Sequence, residues 1–246
     1  MLRIVQLTDI HIDTPEKPYY DIDVKGKFIR ALEQITTYAD IDLLVISGDL
    51  AAHYGEIESY QWVAKQLSRL DIPYIVMAGN HDDINNMQQV FDIDENSIYD
   101  GMLYFRREVK GFPLLFLDTA SYVLSQIQLD WLKQQPQIPS LLFMHHPPIF
   151  CNCTYMDAKY PLQNQDEVWP QLIQLHHIEH IFCGHYHTAR TIYKDQKAIH
   201  ITPSSMMQIA TRTQHFATAN YHPGWRIIEW DGKQLNTFVE YAGVMV

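Results

Sequence analysis

Leu43-Leu44-Val45-Ile46-Ser47-Gly48-Asp49-Leu50 runs four large apolar residues into a small polar residue, a glycine and a carboxylate. A run of that length, apolar at consecutive positions, fits a strand buried on both faces, the form strands take in a parallel sheet covered by helices. Its neighbours agree. Before it, Phe28, Ala31, Leu32 and Ile35 fall on one face of a helix over 24–39, and Leu2–Leu7 reads as a strand. After it, Ile57, Tyr60, Ala64 and Leu67 mark a helix over 55–70, followed by a strand over Pro73–Ala78. Strand, helix, strand, helix, strand implies a parallel sheet.

Further strand-length runs are Met102–Val109, Pro113–Leu117, Leu141–Met144, Ile178–Cys183, Ala198–Thr202, Trp225–Trp230 and Thr237–Tyr241. Weaker helical patterns cover 84–91, 125–135 and 168–177, with Pro170 marking a start or kink in the last. The β-rich second half predicts additional, partly antiparallel strands and a second sheet. No repeat and no Ser/Gly-rich linker interrupts 1–246, so the chain reads as one α/β domain.

The chemistry sits where the strands stop. Thr8-Asp9-Ile10-His11-Ile12-Asp13, Ser47-Gly48-Asp49, Gly79-Asn80-His81-Asp82, His145-His146-Pro147-Pro148 and Gly184-His185-Tyr186-His187 each follow an apolar run. Sites in open α/β sheets form outside the carboxyl ends of the strands. Singly, each block has an ordinary reading: a turn, a helix cap, a rigid loop entry. In this order, all at strand ends, they predict a centre for two metal ions. Such a centre needs a carboxylate to bridge the ions, and Asp49 is the natural bridge, since its block brings one carboxylate and no imidazole. Asp9, His11 and His187 would complete one ion; Asn80, His145 and His185 the other. The set holds no thiolate, which disfavours a structural zinc site and suits Mn, Fe, Co or Zn. Two ions held about 3.5–4 Å apart can clamp the attacking and departing oxygens of an in-line displacement.

Charge and cysteine content narrow the classes. Lys+Arg 18 against Asp+Glu 29 gives a net charge of −11, without the basic patch that tracking nucleic acid requires. Histidine, at 13 residues, is nearly as abundant as Lys and Arg together. Cys151, Cys153 and Cys183 cannot close a disulfide set and read as reduced thiols in a cytoplasmic protein. No apolar run approaches the ~18 residues of a membrane span, and Leu2–Leu7 is too short for a signal sequence.

The five blocks resemble those of the calcineurin-like metallophosphoesterases, over nearly the whole chain. The resemblance implies a four-layer αββα sandwich of two mixed sheets flanked by helices, with a dinuclear centre between the sheets. It implies the same ligand roles, with His81 as a catalytic side chain and Asp82 orienting it. It selects His145 as the ligand, leaving His146 behind it. His53, His176, His177, His180, His200, His215 and His222 match no block. The loop with Cys151, Met156, Asp157, Leu162 and Asn164, then Thr202-Pro203-Ser204-Ser205, Gln208 and Pro223-Gly224-Trp225-Arg226, resembles the class III cyclic-nucleotide phosphodiesterase branch. That branch is similar to bacterial glycerophosphodiesterases. The implied activity is hydrolysis of a small phosphodiester, cyclic AMP foremost, with water activated between two divalent or mixed-valence ions. The branch also suggests a homodimer. Glycerophosphodiesters, nucleotide diphosphate linkages and phosphomonoesters are alternative substrates. A nuclease is disfavoured by charge. A non-enzymatic scaffold is disfavoured because all seven ligand positions are filled.

Overall fold

The computed structural model describes residues 1–243. The chain runs β1 (Leu2–Leu7), α1 (Val24–Ile35), β2 (Leu43–Ser47), α2 (Ile57–Leu67), β3 (Tyr74–Met77), α3 (Ile84–Gln88), β4 (Ile98–Tyr99), β5 (Met102–Leu103), β6 (Phe105–Val109) and β7 (Phe112–Leu117). It continues with α4 (Gln126–Lys133), β8 (Leu141–Met144), α5 (Thr154–Lys159), α6 (Gln165–Leu172), β9 (His180–Cys183), β10 (Arg190–Lys194), β11 (Lys197–Ile201), β12 (Gln208–Ile209), β13 (Thr218–Asn220), β14 (Gly224–Trp230) and β15 (Leu235–Tyr241). One sheet has the order β15-β14-β1-β2-β3, the other β10-β11-β9-β8-β7-β6. Strands β1–β3 are mutually parallel, with β14 and β15 antiparallel beside them. In the second sheet β7, β8, β9 and β11 are parallel, and β6 and β10 form antiparallel edges.

The period-two alternation of a strand explains the layering. Leu2, Ile4, Leu43 and Val45 of the first sheet meet Leu114, Phe116, Leu141, Phe143 and Phe182 of the second in one apolar cluster. Their strand neighbours Val5, Leu7, Leu44 and Ile46 turn the other way, into a cluster with Phe28, Ala31, Leu32 and Ile35 of α1 and with Tyr60, Val63 and Leu67 of α2. Leu142, Met144 and Ile181 likewise face Leu129 and Leu132 of α4 and Val168 and Leu172 of α6. Helices therefore cover the outer faces of two sheets packed face to face, the expected αββα sandwich. Between the sheets, Phe105, Phe116, Phe143, Phe182 and His200 stack ring upon ring at centroid spacings of 4.7, 5.1, 5.2 and 4.8 Å.

Two expectations differ in detail. The run Met102–Val109 is not one strand. Leu103 donates its N–H to Asp118 and Tyr104 donates to Ser97 O, so the chain leaves one pairing before entering the next. The helix expected over 168–177 begins at Gln165 and ends at Leu172, with Pro170 inside it. Its buried stripe, Val168, Trp169 and Leu172, holds the helix through the missing N–H.

Candidate metal centre

The carboxyl ends of β1, β2 and β3 in one sheet, and of β8 and β9 in the other, meet at one edge of the sandwich. Beyond β1 and β2 the backbones stay zipped: Asp9 N–H donates to Gly48 O (3.1 Å), His11 N–H to Asp49 O (3.0 Å) and Ile12 N–H to Leu50 O (2.8 Å). Asp9, His11, Asp49, His185 and His187 all hold φ between 45° and 64°, a left-handed conformation uncommon outside glycine. Such strain persists only where the surroundings enforce it, and it concentrates at functional sites. Across the seam, His185 N–H donates to both Asp9 carboxylate oxygens, at 3.1 and 2.9 Å. Gly48 has φ 98°, and a Cβ there would lie 2.4 Å from His145 Nδ1, so only glycine fits.

These loops bring all seven expected ligands together. The donor atoms of Asp9, His11 and His187 lie within 4.8 Å of one another, as do those of Asp49, His145 and His185. Asp49 Oδ2 stands between the sets, 3.7 Å from His11 Nε2 and 3.3 Å from His145 Nε2. His187 Nε2 is 3.3 Å from Asp9 Oδ1 and 3.1 Å from His11 Nε2. Two nitrogens each about 2.1 Å from one ion, at near-right angles, lie roughly 3 Å apart. The spacing therefore fits convergence on a shared cation. Buried polar atoms without a partner support this: His145 Nε2 and Asn80 Oδ1 accept and donate nothing. The rings are held from behind. His145 Nδ1 bonds Ser47 O (2.8 Å) and His185 Nε2 bonds Tyr160 O (2.9 Å), which leaves His145 Nε2 and His185 Nδ1 for the centre. His146 bonds Thr119 through Nδ1 (3.0 Å) and packs its ring 4.0 Å from that of His185.

The ionisation states are split across the site: against burial, which lowers it, Asp49 and Asp9 raise the His145 pKa to about 10, so with no cation bound His145 carries a proton that ligation would displace. Burial raises the Asp9 pKa, but His187 and His145 outweigh it and draw it down to about 2. Asp49 is held well below its ordinary value, the charge of His145 overcoming burial. Burial pushes His11 and His185 down to about 3, so both are neutral, the form that ligates. The donor set, two carboxylates, one amide and four imidazoles, suits borderline transition metals.

His81 lies in the cleft with His11, Asp49 and Asn80. Its backbone N–H donates to Asp49 Oδ1 (2.9 Å) and its Nδ1 bonds Ala52 O (2.8 Å). The expectation that Asp82 orients the imidazole needs correction. The Asp82 carboxylate accepts instead from the N–H groups of Leu50, Ala51 and Gly79 and from Tyr60 Oη. It ties the loop after β2 to the loop after β3, and His81 is oriented by the carbonyl of Ala52. Burial and the nearby Asp49 charge raise the Asp82 pKa to about 6.

The cleft, about 410 Å³, also has an aromatic rim that the sequence reading missed: Tyr19, Tyr20, Tyr122, Tyr155, Tyr160 and Phe216. These residues come from four separate loops and a short helix, with no shared pattern. The available signal was the Tyr19-Tyr20 pair, one loop away from His11. Tyr19 stacks on His11 at 5.0 Å and 15°. Among the described residues, no Lys or Arg lines this cleft. Cys151, Cys153 and Cys183 are free, buried and outside the donor set.

A family model described as calcineurin-like phosphoesterase matches residues 2–189. A Fibrobacter succinogenes protein named as a probable cyclic nucleotide phosphodiesterase is 36% identical, covering 98% of this chain and 94% of its own. The 3′,5′-cyclic adenosine monophosphate phosphodiesterase CpdA of Escherichia coli K12 is 27% identical, over 93% of this chain and 85% of that one. A dimetal phosphatase from Danio rerio superposes with a TM-score of 0.61 at 12% identity, covering 98% and 99% of the two chains, a likeness of fold.

Proposed function

The chain belongs to the calcineurin-like phosphoesterase family, and on that premise we propose that it binds two transition-metal ions and hydrolyses 3′,5′-cyclic nucleotides to 5′-monophosphates. As a metal-dependent phosphodiester hydrolase it needs donors for cations and a route for a proton. The observation that carries the two-ion reading is the position of Asp49 Oδ2, within 3.7 Å of His11 Nε2 in one donor set and 3.3 Å of His145 Nε2 in the other. Asp9, His11 and His187 would hold one ion, Asn80, His145 and His185 the second, with Asp49 shared. Bound there, the ions would neutralise phosphoryl charge and make water a nucleophile at neutral pH.

The chain's own residues supply the rest. His81 Nδ1–H donates to Ala52 O, so Nε2 is the free ring nitrogen, and as an imidazolium the ring would deliver a proton from Nε2 to the departing ribose oxygen. Tyr19 covers one face of His11 and limits water there. A cleft without cationic side chains favours a singly charged diester over a doubly charged monoester, and aromatic walls favour organic groups flanking the phosphate. The relatives named as cyclic nucleotide phosphodiesterases support the same substrate class. Among the described residues no helix is long and apolar enough to cross a membrane; three free buried thiols suit a reducing, cytoplasmic setting.

The test is metal analysis of chelator-free protein together with rates on cyclic AMP, bis(p-nitrophenyl) phosphate and p-nitrophenyl phosphate with Mn²⁺. The expected result is more than one ion per chain and preference for the diesters. Full activity with a single ion, or a strong monoester preference, would overturn the reading.

A further inference from the structure

Tyr20 is 64% exposed and Phe216 44% exposed, so neither is explained by core burial. They come from opposite ends of the chain, Tyr20 between β1 and α1 and Phe216 between β12 and β13, yet both line the cleft. Their rings face each other nearly parallel, at 15°, with centroids 6.3 Å apart. A flat ring held between two others needs about 7 Å, twice the ~3.5 Å contact distance of carbon atoms. The 6.3 Å centroid distance sets the upper limit of the present opening, so the two exposed side chains must part to admit a ring.

The surroundings hold the arms in place. Tyr20 and Asp21 both have left-handed φ, 54° and 53°, which turns the chain sharply at Tyr20. Tyr155 packs edge-on against Phe216 at 6.0 Å, and Tyr19 edge-on against Tyr20 at 4.6 Å. Tyr19 in turn stacks on His11. The gap between Tyr20 and Phe216 therefore stands two ring steps from the metal donors, the kind of interval a ribose spans between its phosphate and its base.

We propose that Tyr20 and Phe216 form an aromatic clamp that takes the nucleobase of the substrate between their faces and sets preference for nucleotide over glycerol-type phosphodiesters. The proposal rests on the cyclic-nucleotide reading above. Every base has a π-face, so the clamp holds a base without selecting strongly among them; base–aromatic stacking typically changes affinity roughly 5- to 150-fold per base.

The experiment compares wild type with Tyr20→Leu, Phe216→Leu and the double variant, since leucine keeps apolar bulk and removes the flat face. The substrates are cyclic AMP and 1-O-methylribose 3′,5′-cyclic phosphate, which has the same reacting atoms and no base. The double variant should raise KM for cyclic AMP about ten-fold or more, with metal content unchanged and KM for the base-free analogue changed far less. Adenosine should inhibit wild type competitively and the double variant far less. An unchanged KM for cyclic AMP in the double variant would overturn the clamp and leave the phosphodiesterase reading standing. Should wild type cleave neither cyclic phosphate, the substrate reading fails and the clamp is decided by adenosine inhibition of bis(p-nitrophenyl) phosphate hydrolysis. Inhibition lost in the double variant supports it; equal inhibition of both proteins, or of neither, refutes it.

Discussion

Replacing Asp82 by alanine tests whether this carboxylate serves the backbone or the imidazole beside it. The change removes the acceptor of Leu50 N–H (3.0 and 3.1 Å to the two oxygens), Ala51 N–H (3.0 Å), Gly79 N–H (2.9 Å) and Tyr60 Oη (3.0 Å). Donors left without partners cost about 1–3 kcal/mol each. Removal also relieves the desolvation and the repulsion with Asp49 that raise the Asp82 pKa to about 6. For a rise of about two units, that relief returns about 3 kcal/mol at neutral pH. The four donors together lose about 4–12 kcal/mol, so after that relief roughly 1–9 kcal/mol of destabilisation remains. Because the freed loops carry Asp49 and Asn80, metal affinity should fall about 10–100-fold as well. Urea unfolding of chelated protein, followed by tryptophan fluorescence, measures the first effect; calorimetric titration with Mn²⁺ measures the second. An unchanged unfolding midpoint and unchanged Mn²⁺ affinity, with loss of rate only on substrates having poor leaving groups, would refute the backbone role and restore Asp82 as a partner of His81.

His81→Ala should cost cyclic AMP hydrolysis about 10²-fold or more in kcat/KM while bis(p-nitrophenyl) phosphate, whose nitrophenolate leaves unaided, loses much less at equal metal content. Equal losses would instead indicate charge stabilisation at the phosphoryl oxygen. Gly184→Ala puts a methyl 2.0 Å from Thr8 Oγ1 and 2.7 Å from Asp9 Oδ2, so metal affinity should drop at least about ten-fold; undiminished affinity would show that the Asp9 carboxylate can step aside. His200, driven down to about 3 by burial and by Arg226, is neutral when folded and protonates below about 6.5 when unfolded. Its contribution is therefore present above pH 6.5 and is lost as the pH falls, by about 2 kcal/mol at pH 5. His200→Asn should flatten the decline in stability between pH 6.5 and 4, as followed by urea unfolding; an unchanged slope would place the acid sensitivity elsewhere.

The strand ends were readable because the runs 43–46 and Leu141–Met144 are apolar throughout, so the first polar residues after them mark the sheet edge. Placing Asp9, Asp49, Asn80, His145, His185 and His187 at one edge then needed only the rule that parallel strands share a carboxyl end. What a sequence does not encode locally stayed hidden. Asp82 is a neighbour of His81 in the chain, which made a direct contact between them plausible. Its partners at Leu50 and Ala51 become visible only when β2 and β3 pair. The aromatic rim escaped for the same reason: Tyr20 and Phe216 meet through the fold alone. The edge strand Arg190–Lys194 was missed because its faces are mostly exposed and its residues polar. The start of α6 was misplaced because Pro170 was weighed more heavily than the buried stripe around it.

The donors are divided between the two halves of the sandwich, Asp9, His11, Asp49 and Asn80 on one and His145, His185 and His187 on the other. Neither half carries the whole donor set, so two ions bound as proposed would act as rivets through the seam and oppose any motion that separates the sheets. Ions that bound the closed form and not the open one would add about 1.4 kcal/mol against that separation for each tenfold excess of free metal over the dissociation constant. During synthesis the same arrangement would delay the rivets until the block ending at His187 has left the ribosome. Until then Asp9, His11 and Asp49 would rest on the zipping between the loops after β1 and β2 and on the Asp82 carboxylate that ties the loop after β2 to that after β3. Metal supply would thereby become a determinant of how long the finished protein survives proteases, separately from how fast it turns over substrate.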